Sequence, residues 1–385
     1  MEEQDLEYLS LDTGERIQKP KSSEGSKRNR KNKHRKAKRR GKVGFILIAF
    51  AGFLGVCVLA LVIVCANAKR RLYSSVSISQ PNLQMADQTV ELNTADYPVW
   101  EEGWIRYGDK IYEYDDSILT FLVMGVDEFG KVHESTDGVS GGQTDALILV
   151  VLHTQEKEIE LIAINRDTMT DVLTYGCGNQ YIEAQIATQH GFGDGMEMSC
   201  ELTRDTVSRL FYDLPIHGYI SVNMGVVPQL NDAIGGVTVT IPEDVAGDFD
   251  GWEEGNEVTL YGVEAFYFVQ QRDCETFNSN QTRLSRQKQY LNAFVHTAIE
   301  GTREDITLPV TIYQNLKDYI VTDISADEIT YLASKVISYS FSEDGIRTLE
   351  GTTQMGETFE EFYVDKDALR ELIIAVFYRE VAMEN

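Results

Sequence analysis

Between Val43 and Ala66 the chain runs 24 residues without a charge (VGFILIAFAGFLGVCVLALVIVCA), and nothing else in the sequence limits its fold as tightly. An apolar helix of this length matches the hydrocarbon thickness of a bilayer. The run is too long, and begins too far from Met1, for a cleaved signal peptide. Eleven Lys/Arg crowd the 16 residues Lys27–Lys42 before it, and three, Lys69, Arg70 and Arg71, close it. The positive-inside rule then sets the N-terminus in the cytoplasm and everything past Leu72 outside. The expected organisation is a disordered basic tail (1–42), a transmembrane helix (43–66), an extracellular stalk (67–114) and one folded domain (115–380). This describes a single-pass protein of the cell membrane. Because the basic cluster abuts the span, it reads as a topogenic flank resting on anionic lipid rather than a nuclear-import or nucleic-acid segment.

The formal charge of −26 over 385 residues hides a second asymmetry. Residues 1–71 carry 17 Lys/Arg and 7 Asp/Glu, whereas the rest carries 18 and 54, a balance of −36. So acidic a body excludes nucleic acid as the partner, since that binding depends on neutralising phosphates with a basic face. An anionic ligand would have to be held in a local basic pocket. The chain is long enough to bury a large core. No internal repeat appears, and no Pro- or Gly-rich linker divides 115–380.

From Ile118 the pattern becomes α/β. The runs ILTFLVMGV (118–126), DALILVVLH (145–153) and EIELIAIN (158–165) are nearly continuous in apolar residues, as strands buried on both faces are. Ile216–Asn223 and Val237–Ile241 also read as strands, the second after the Gly235-Gly236 turn. Helical patterns occupy Cys200–Tyr212, Val226–Ile234, Gly262–Gln270, Gln281–Ile299, Ser325–Ile337 and Asp365–Tyr378. Cys57 and Cys65 are filler in the apolar run. Cys177, Cys200 and Cys274 lie where oxidation is possible, and a Cys177–Cys200 bridge is one pairing the sequence allows. None has the spacing of a zinc site.

The stretch Ala265–Gln287 (AFYFVQQRDCETFNSNQTRLSRQ) places Arg272, Arg283 and Arg286 within 15 residues of this acidic body. If Gln281 onward is helical, Arg283, Arg286 and Gln287 share a face. Arginine is the residue for bidentate capture of phosphate or carboxylate. Spacing alone equally allows a helix with solvated arginines.

Three further charged positions sit where strands end. Asp127 follows the first run, Asp145 opens the second, and Arg166-Asp167 follow the third. In open α/β sheets ligands bind outside the carboxyl ends of strands. Asp127 and Arg166 fit that rule, and Asp145 fits it if its strand is antiparallel to its neighbours, as the short connection 154–157 suggests. Two carboxylates together make a hard-oxygen site for Mg²⁺, and arginine beside Mg²⁺ equips a site for phosphoryl transfer. Taken singly, each residue reads as a turn aspartate, an N-cap or a structural ion pair.

In order, GVD, GQTDALILVVL, LIAINRDTMTDV, IGGVTVTIPE and QQRD…RLSRQ resemble the LytR-CpsA-Psr family of membrane-anchored cell-wall proteins. The motifs cover 115–300, with a C-terminal extension at 301–380. The resemblance implies a mixed central β-sheet flanked by helices, enclosing a hydrophobic tunnel for a polyprenyl chain. It implies a phosphotransferase that moves a glycopolymer from an undecaprenyl-pyrophosphate carrier to peptidoglycan in a Gram-positive-type bacterium, with Mg²⁺ or Mn²⁺. By position, Asp127 and Asp145 fall on the family's metal-associated aspartates, and Arg166 and Asp167 on its Pro-Arg-Asp-Thr motif. Arg272 falls on the second arginine of its Arg-x-Arg pair, and Arg283, Arg286 and Gln287 on Arg-x-x-Arg-Gln. The implied catalytic set is Asp145, Arg166, Asp167 and Arg272. The implied pyrophosphate ligands are Arg166, Arg272, Arg283, Arg286 and Gln287. Four departures stand out: Asn165 for proline, Gln270 for the pair's first arginine, Asn280 for an aspartate, and QIATQ for Lys-x-Asn-Ala-Ala. A lipid pyrophosphatase and a non-catalytic wall-binding or regulatory protein are the rival readings.

Overall fold

The computed structural model describes residues 64–76, 80–83, 103–135, 141–271 and 279–381, which fall within one unit, Ala60–Asn385. The expected tail and most of the expected span (43–63) lie outside the described residues, as do Arg272 and Cys274. Among the described residues no helix is long and apolar enough to cross a membrane.

The strands in chain order are β1 (Ile105–Tyr107), β2 (Lys110–Tyr114), β3 (Leu119–Val126), β4 (Thr144–His153), β5 (Glu158–Ile164), β6 (Met169–Leu173), β7 (Tyr181–Gln185) and β8 (Gly218–Asn223). They continue with β9 (Val237–Thr240), β10 (Glu257–Leu260), β11 (Ile320–Thr322), β12 (Ser340–Thr348), β13 (Gly351–Met355), β14 (Glu360–Val364) and β15 (Tyr378–Glu380). The helices are α1 (64–74), α2 (Glu197–Leu210), α3 (Val227–Ala233), α4 (Val263–Gln270), α5 (Ser279–Glu304), α6 (Leu308–Leu316), α7 (Ala326–Val336) and α8 (Lys366–Phe377).

The central sheet has six strands in the order β11-β8-β3-β4-β5-β12. β4 runs antiparallel to β3 and β5, while β8 and β12 run parallel to β3 and β5 respectively. The sheet is therefore mixed, and the start of β4 lies between the ends of β3 and β5. Successive side chains alternate faces. Leu122, Met124, Leu147, Leu149 and Ile162 pack under α2 and α8 on one side, through Val207, Ile373 and Phe377. Leu119, Phe121, Leu152 and Leu161 pack on the other against α1, α5 and α7, through Leu72, Ile299 and Tyr331. A smaller cluster around Trp252 unites β9, β10, α3 and α4.

Two parts differ from the sequence reading. The expected stalk contributes strands from Ile105 onward: β1 and β2 form a sheet with C-terminal β15. Ala68 and Leu72 of α1 are buried in the core, and Arg71 pairs with Asp327 and Glu328 of α7. The Cys177–Cys200 bridge is not formed, since Cys200 is buried, 3.9 Å from Nε2 of His190, while Cys177 is exposed.

Candidate functional site

The site grows from the common edge of β3, β4 and β5. The antiparallel course of β4 brings Asp145 to the edge where β3 delivers Asp127 and β5 delivers Arg166. A bulge refines this. Gly125 pairs with Ala146 and Val126 with Thr144, so the pairing skips Asp145 and the strand's alternation does not fix its side chain. The turn before β4 needs its glycine. Gly142 has φ +77°, and a Cβ there would come 2.6 Å from Val126 Cγ1. That turn sets the backbone N–H of Gln143 to donate to Asp127 Oδ1 at 2.6 Å.

Arg166 is the hub. Its Nη1 donates to Asp145 Oδ1, its Nη2 to Gln143 Oε1 at 2.7 Å, and its Nε lies 3.6 Å from Asp167 Oδ1. Gln185 Nε2 holds the same Asp167 oxygen at 2.8 Å. Asn165, where the family has proline, stiffens the turn differently: its Oδ1 accepts from the Asp167 N–H at 2.9 Å in an Asx turn. The Arg166 and Asp145 side chains are 23% and 26% exposed, so both are held yet open to a ligand.

Burial raises the Asp145 pKa above the ordinary carboxylate value, Arg166 and Arg283 oppose that shift, and the negative charge of Asp127 adds to it. The same interactions place Arg283 within electrostatic reach of Asp145. The structure thus gathers Asp127, Asp145, Arg166, Asp167 and Arg283. Gln143 and Gln185 complete the cluster. Sequence reasoning assigned neither a role because an amide carries no charge to mark it; the only signal was their position inside the quoted GQTD and QIATQ motifs.

Arg286 and Gln287 have a different role from the expected pyrophosphate capture. Arg286 is 4% exposed, its Nε donates to the Phe268 carbonyl at 2.9 Å, and its other nitrogens bond Asp244 and the Gln271 carbonyl. Gln287 Nε2 donates to the Val269 carbonyl at 3.1 Å. The last carbonyls of a helix have no intrahelical partner, and cationic donors satisfy them best. Arg286 and Gln287 therefore clamp the C-terminal end of α4 and fix the backbone at Gln271, the residue before Arg272.

The donor set suits a divalent cation. Three carboxylates face two guanidiniums here, and an added pyrophosphate would deepen the negative balance. Mg²⁺ is commonly held by one or two carboxylates, with phosphate and water completing its shell. Asp127 and Asp145 fit that pattern. Among the described residues no group of three His, Cys, Asp or Glu could hold a metal by itself.

Beside the charged cluster, one sheet face is incompletely covered. Val222, Gly125 and Ala146 form one row across the strands, and Ile220, Val123, Ile148 and Ala163 the next. All seven are half-buried, although they lie mid-sheet. Leu291 and Val295 of α5, also half-buried, belong to the same cluster. The result is a half-buried apolar sheet face whose first row, at Ala146, is next to Asp145 in the chain.

Residues 80–374 match the LytR_cpsA_psr family. The polyisoprenyl-teichoic acid–peptidoglycan teichoic acid transferase TagU of Bacillus licheniformis is 29% identical over 237 residues, 60% of this chain and 70% of its own. The Bacillus subtilis protein of that name is 26% identical over 257 residues, 66% of this chain and 75% of its own. The crystal structure of Bacillus subtilis TagV superposes with a TM-score of 0.51 at 22% identity, covering 68% of this chain and 96% of that one, so the two share the fold.

Proposed function

Because the chain belongs to the LytR_cpsA_psr family, we propose that it transfers a glycopolymer from a polyprenyl-pyrophosphate carrier to peptidoglycan, forming a phosphodiester. The observation that carries this reading is the junction of a guanidinium–carboxylate cluster with a half-buried apolar sheet face, through the adjacent residues Asp145 and Ala146. A ligand matching both has an anionic head and a long apolar tail. The names of the TagU relatives support the same substrate class.

In this reading Arg166 and Arg283 hold the pyrophosphate, together with Arg272, the residue after the Gln271 whose carbonyl Arg286 holds. Arg166 gives up its contact with Asp145 to grip phosphate, and Asp167 and Gln185 keep its orientation. A sugar hydroxyl of peptidoglycan attacks the phosphorus next to the glycopolymer, the pyrophosphate P–O bond breaks, polyprenyl phosphate leaves, and the hydroxyl proton passes to solvent. Such transfers ask the protein mainly for positioning and charge stabilisation. Asp127 and Asp145 would hold Mg²⁺ or Mn²⁺, which when bound supplies positive charge to the pyrophosphate. The apolar run and its basic flank support a single span with a cytoplasmic N-terminus.

The test is a reconstituted assay with full-length protein, lipid-linked glycopolymer and peptidoglycan. The reading expects polymer joined to peptidoglycan and release of polyprenyl phosphate only when acceptor is present. Equal release without acceptor would mark a hydrolase, and lipid binding without release a binding protein.

A further inference from the structure

The loop after Asp127 holds an aromatic ring in solvent next to the site. Phe129 is 61% exposed, and of the large hydrophobic side chains described only Met355 and Val263 are more so. A single exposed apolar residue is ordinary, but this one is neither isolated nor loosely held. Its ring meets Phe266 of α4 edge to face, with centroids 5.7 Å apart and planes at 73°. Val263 and Gln270, one turn to either side of Phe266, are both exposed on that face of α4.

The backbone beneath Phe129 is pinned on both sides. Gly225 N–H donates to the Glu128 carbonyl at 3.1 Å, and Asn223 Nδ2 donates to the Gly130 carbonyl at 2.8 Å. Lys131 Nζ bonds Asp318 Oδ2 at 2.6 Å, and the Val132 N–H donates to the Asp318 carbonyl at 2.9 Å. Gly225 has to be glycine, since a Cβ there would come 2.3 Å from the Phe129 carbonyl oxygen. Phe266 meets the ring edge to face and leaves Phe129 61% exposed, so ring surface remains for a ligand.

We propose that Phe129, braced by Phe266, is a stacking platform for a sugar ring of the transfer reaction, and this proposal rests on the transferase reading above. A pyranose has an apolar C–H face and a hydroxylated rim. Its C–H face suits the negatively polarised face of an aromatic ring, while its hydroxyls stay in water or meet polar neighbours. Glu128 precedes Phe129 in the chain, and Gln270 is exposed one turn after Phe266 on α4. An isoprenoid chain needs apolar cover along its length, which this open ledge does not offer. Phe129 lies two residues from Asp127, at most about 7 Å along the backbone, which puts the platform on the same rim as the proposed pyrophosphate site.

The ring belongs to the glycopolymer donor or to the peptidoglycan acceptor, and kinetics distinguish the two. Full-length Phe129→Leu keeps apolar bulk against Phe266 without an aromatic face, and Phe129→Trp keeps the face. The expected result is a KM for one sugar substrate raised about tenfold in Phe129→Leu and restored in Phe129→Trp. The substrate whose KM moves identifies the source. Affinity for undecaprenyl pyrophosphate, which has no sugar, should be the same in all three proteins. Unchanged KM values for both sugar substrates would overturn the platform, and so would loss of undecaprenyl-pyrophosphate affinity in Phe129→Leu, which would make the ledge a lipid contact. If wild-type protein transfers nothing, the transferase reading fails separately. Titration of soluble peptidoglycan glycan fragments and of soluble glycopolymer fragments then still tests Phe129, and wild type binding neither more tightly than Phe129→Leu would end the proposal.

Discussion

Arg166 and Arg286 each sit in a motif, each pair with an aspartate and each hold backbone or side-chain oxygens, yet they do opposite work. Arg166 stands at a sheet edge, 23% exposed, with partners that are themselves half open. Arg286 is 4% exposed and bonds two main-chain carbonyls at the end of α4. A ligand can displace the partners of the first, whereas displacing those of the second would uncap a helix inside the core. The difference teaches that an arginine's motif does not assign its role. Its exposure, and whether its acceptors are exchangeable side chains or fixed carbonyls, does.

The largest effect should come from breaking the clamp. Arg286→Ala leaves Asp244 and two carbonyls without their donor, a loss of about 3 kcal/mol for a largely buried charged group. In a domain of this size that corresponds to a fall in Tm on the order of 8 °C, read by calorimetry. Arg286→Lys keeps the charge but lacks the planar fork, so it should recover only part of the loss. A Tm within a degree of wild type would show that the clamp is not structural.

Asp145→Asn probes the other region. Burial lifts the Asp145 pKa above 3.8, so its stabilising contribution is present at low pH and is lost as pH rises through the raised value. At neutral pH the wild type carries a cost that the amide does not. The variant should therefore lose transfer while its Tm equals or exceeds that of wild type, and the gap should open as pH rises above 3.8. A variant that is inactive because it is less stable at neutral pH would place Asp145 with Arg286, as scaffold.

The smallest effect is expected at Gln270, exposed at the end of α4, where the resemblance implies an arginine. Gln270→Arg adds a cation beside Arg272 and should tighten undecaprenyl-pyrophosphate binding by up to threefold, as a partly screened charge does. Weaker binding would show that this pocket has turned to a less charged ligand.

The parts of this fold that were legible in the sequence are those whose burial leaves a local mark. β3, β4 and β5 are covered on both sides and read as apolar runs. β13, exposed throughout, and β12, whose register breaks between Phe341 and Ile346, show no such pattern. β1 and β2 are held by β15, some 265 residues away, and no local signal announces that pairing. At the site, Asp127, Asp145 and Arg166 stood out as charges at strand ends. Gln143 and Gln185 did not, because their value lies in hydrogen-bond geometry. Arg286 was visible as a charge, but the carbonyls it caps belong to another helix, so its burial was hidden.

The central claim is that Arg166 serves the ligand and Arg286 serves the fold, and one paired measurement tests it. Tm and undecaprenyl-pyrophosphate affinity are determined for full-length wild type and Arg166→Ala at one salt concentration. Loss of a half-exposed ion pair should cost under about 1 kcal/mol of stability. Loss of charge-assisted hydrogen bonds to phosphate should cost about 1.5–3 kcal/mol of binding, roughly a tenfold to hundredfold weakening. A nearly unchanged Tm with sharply weakened binding is the predicted result. Unchanged affinity, with or without a fall in Tm, would contradict the assignment of this site to the carrier.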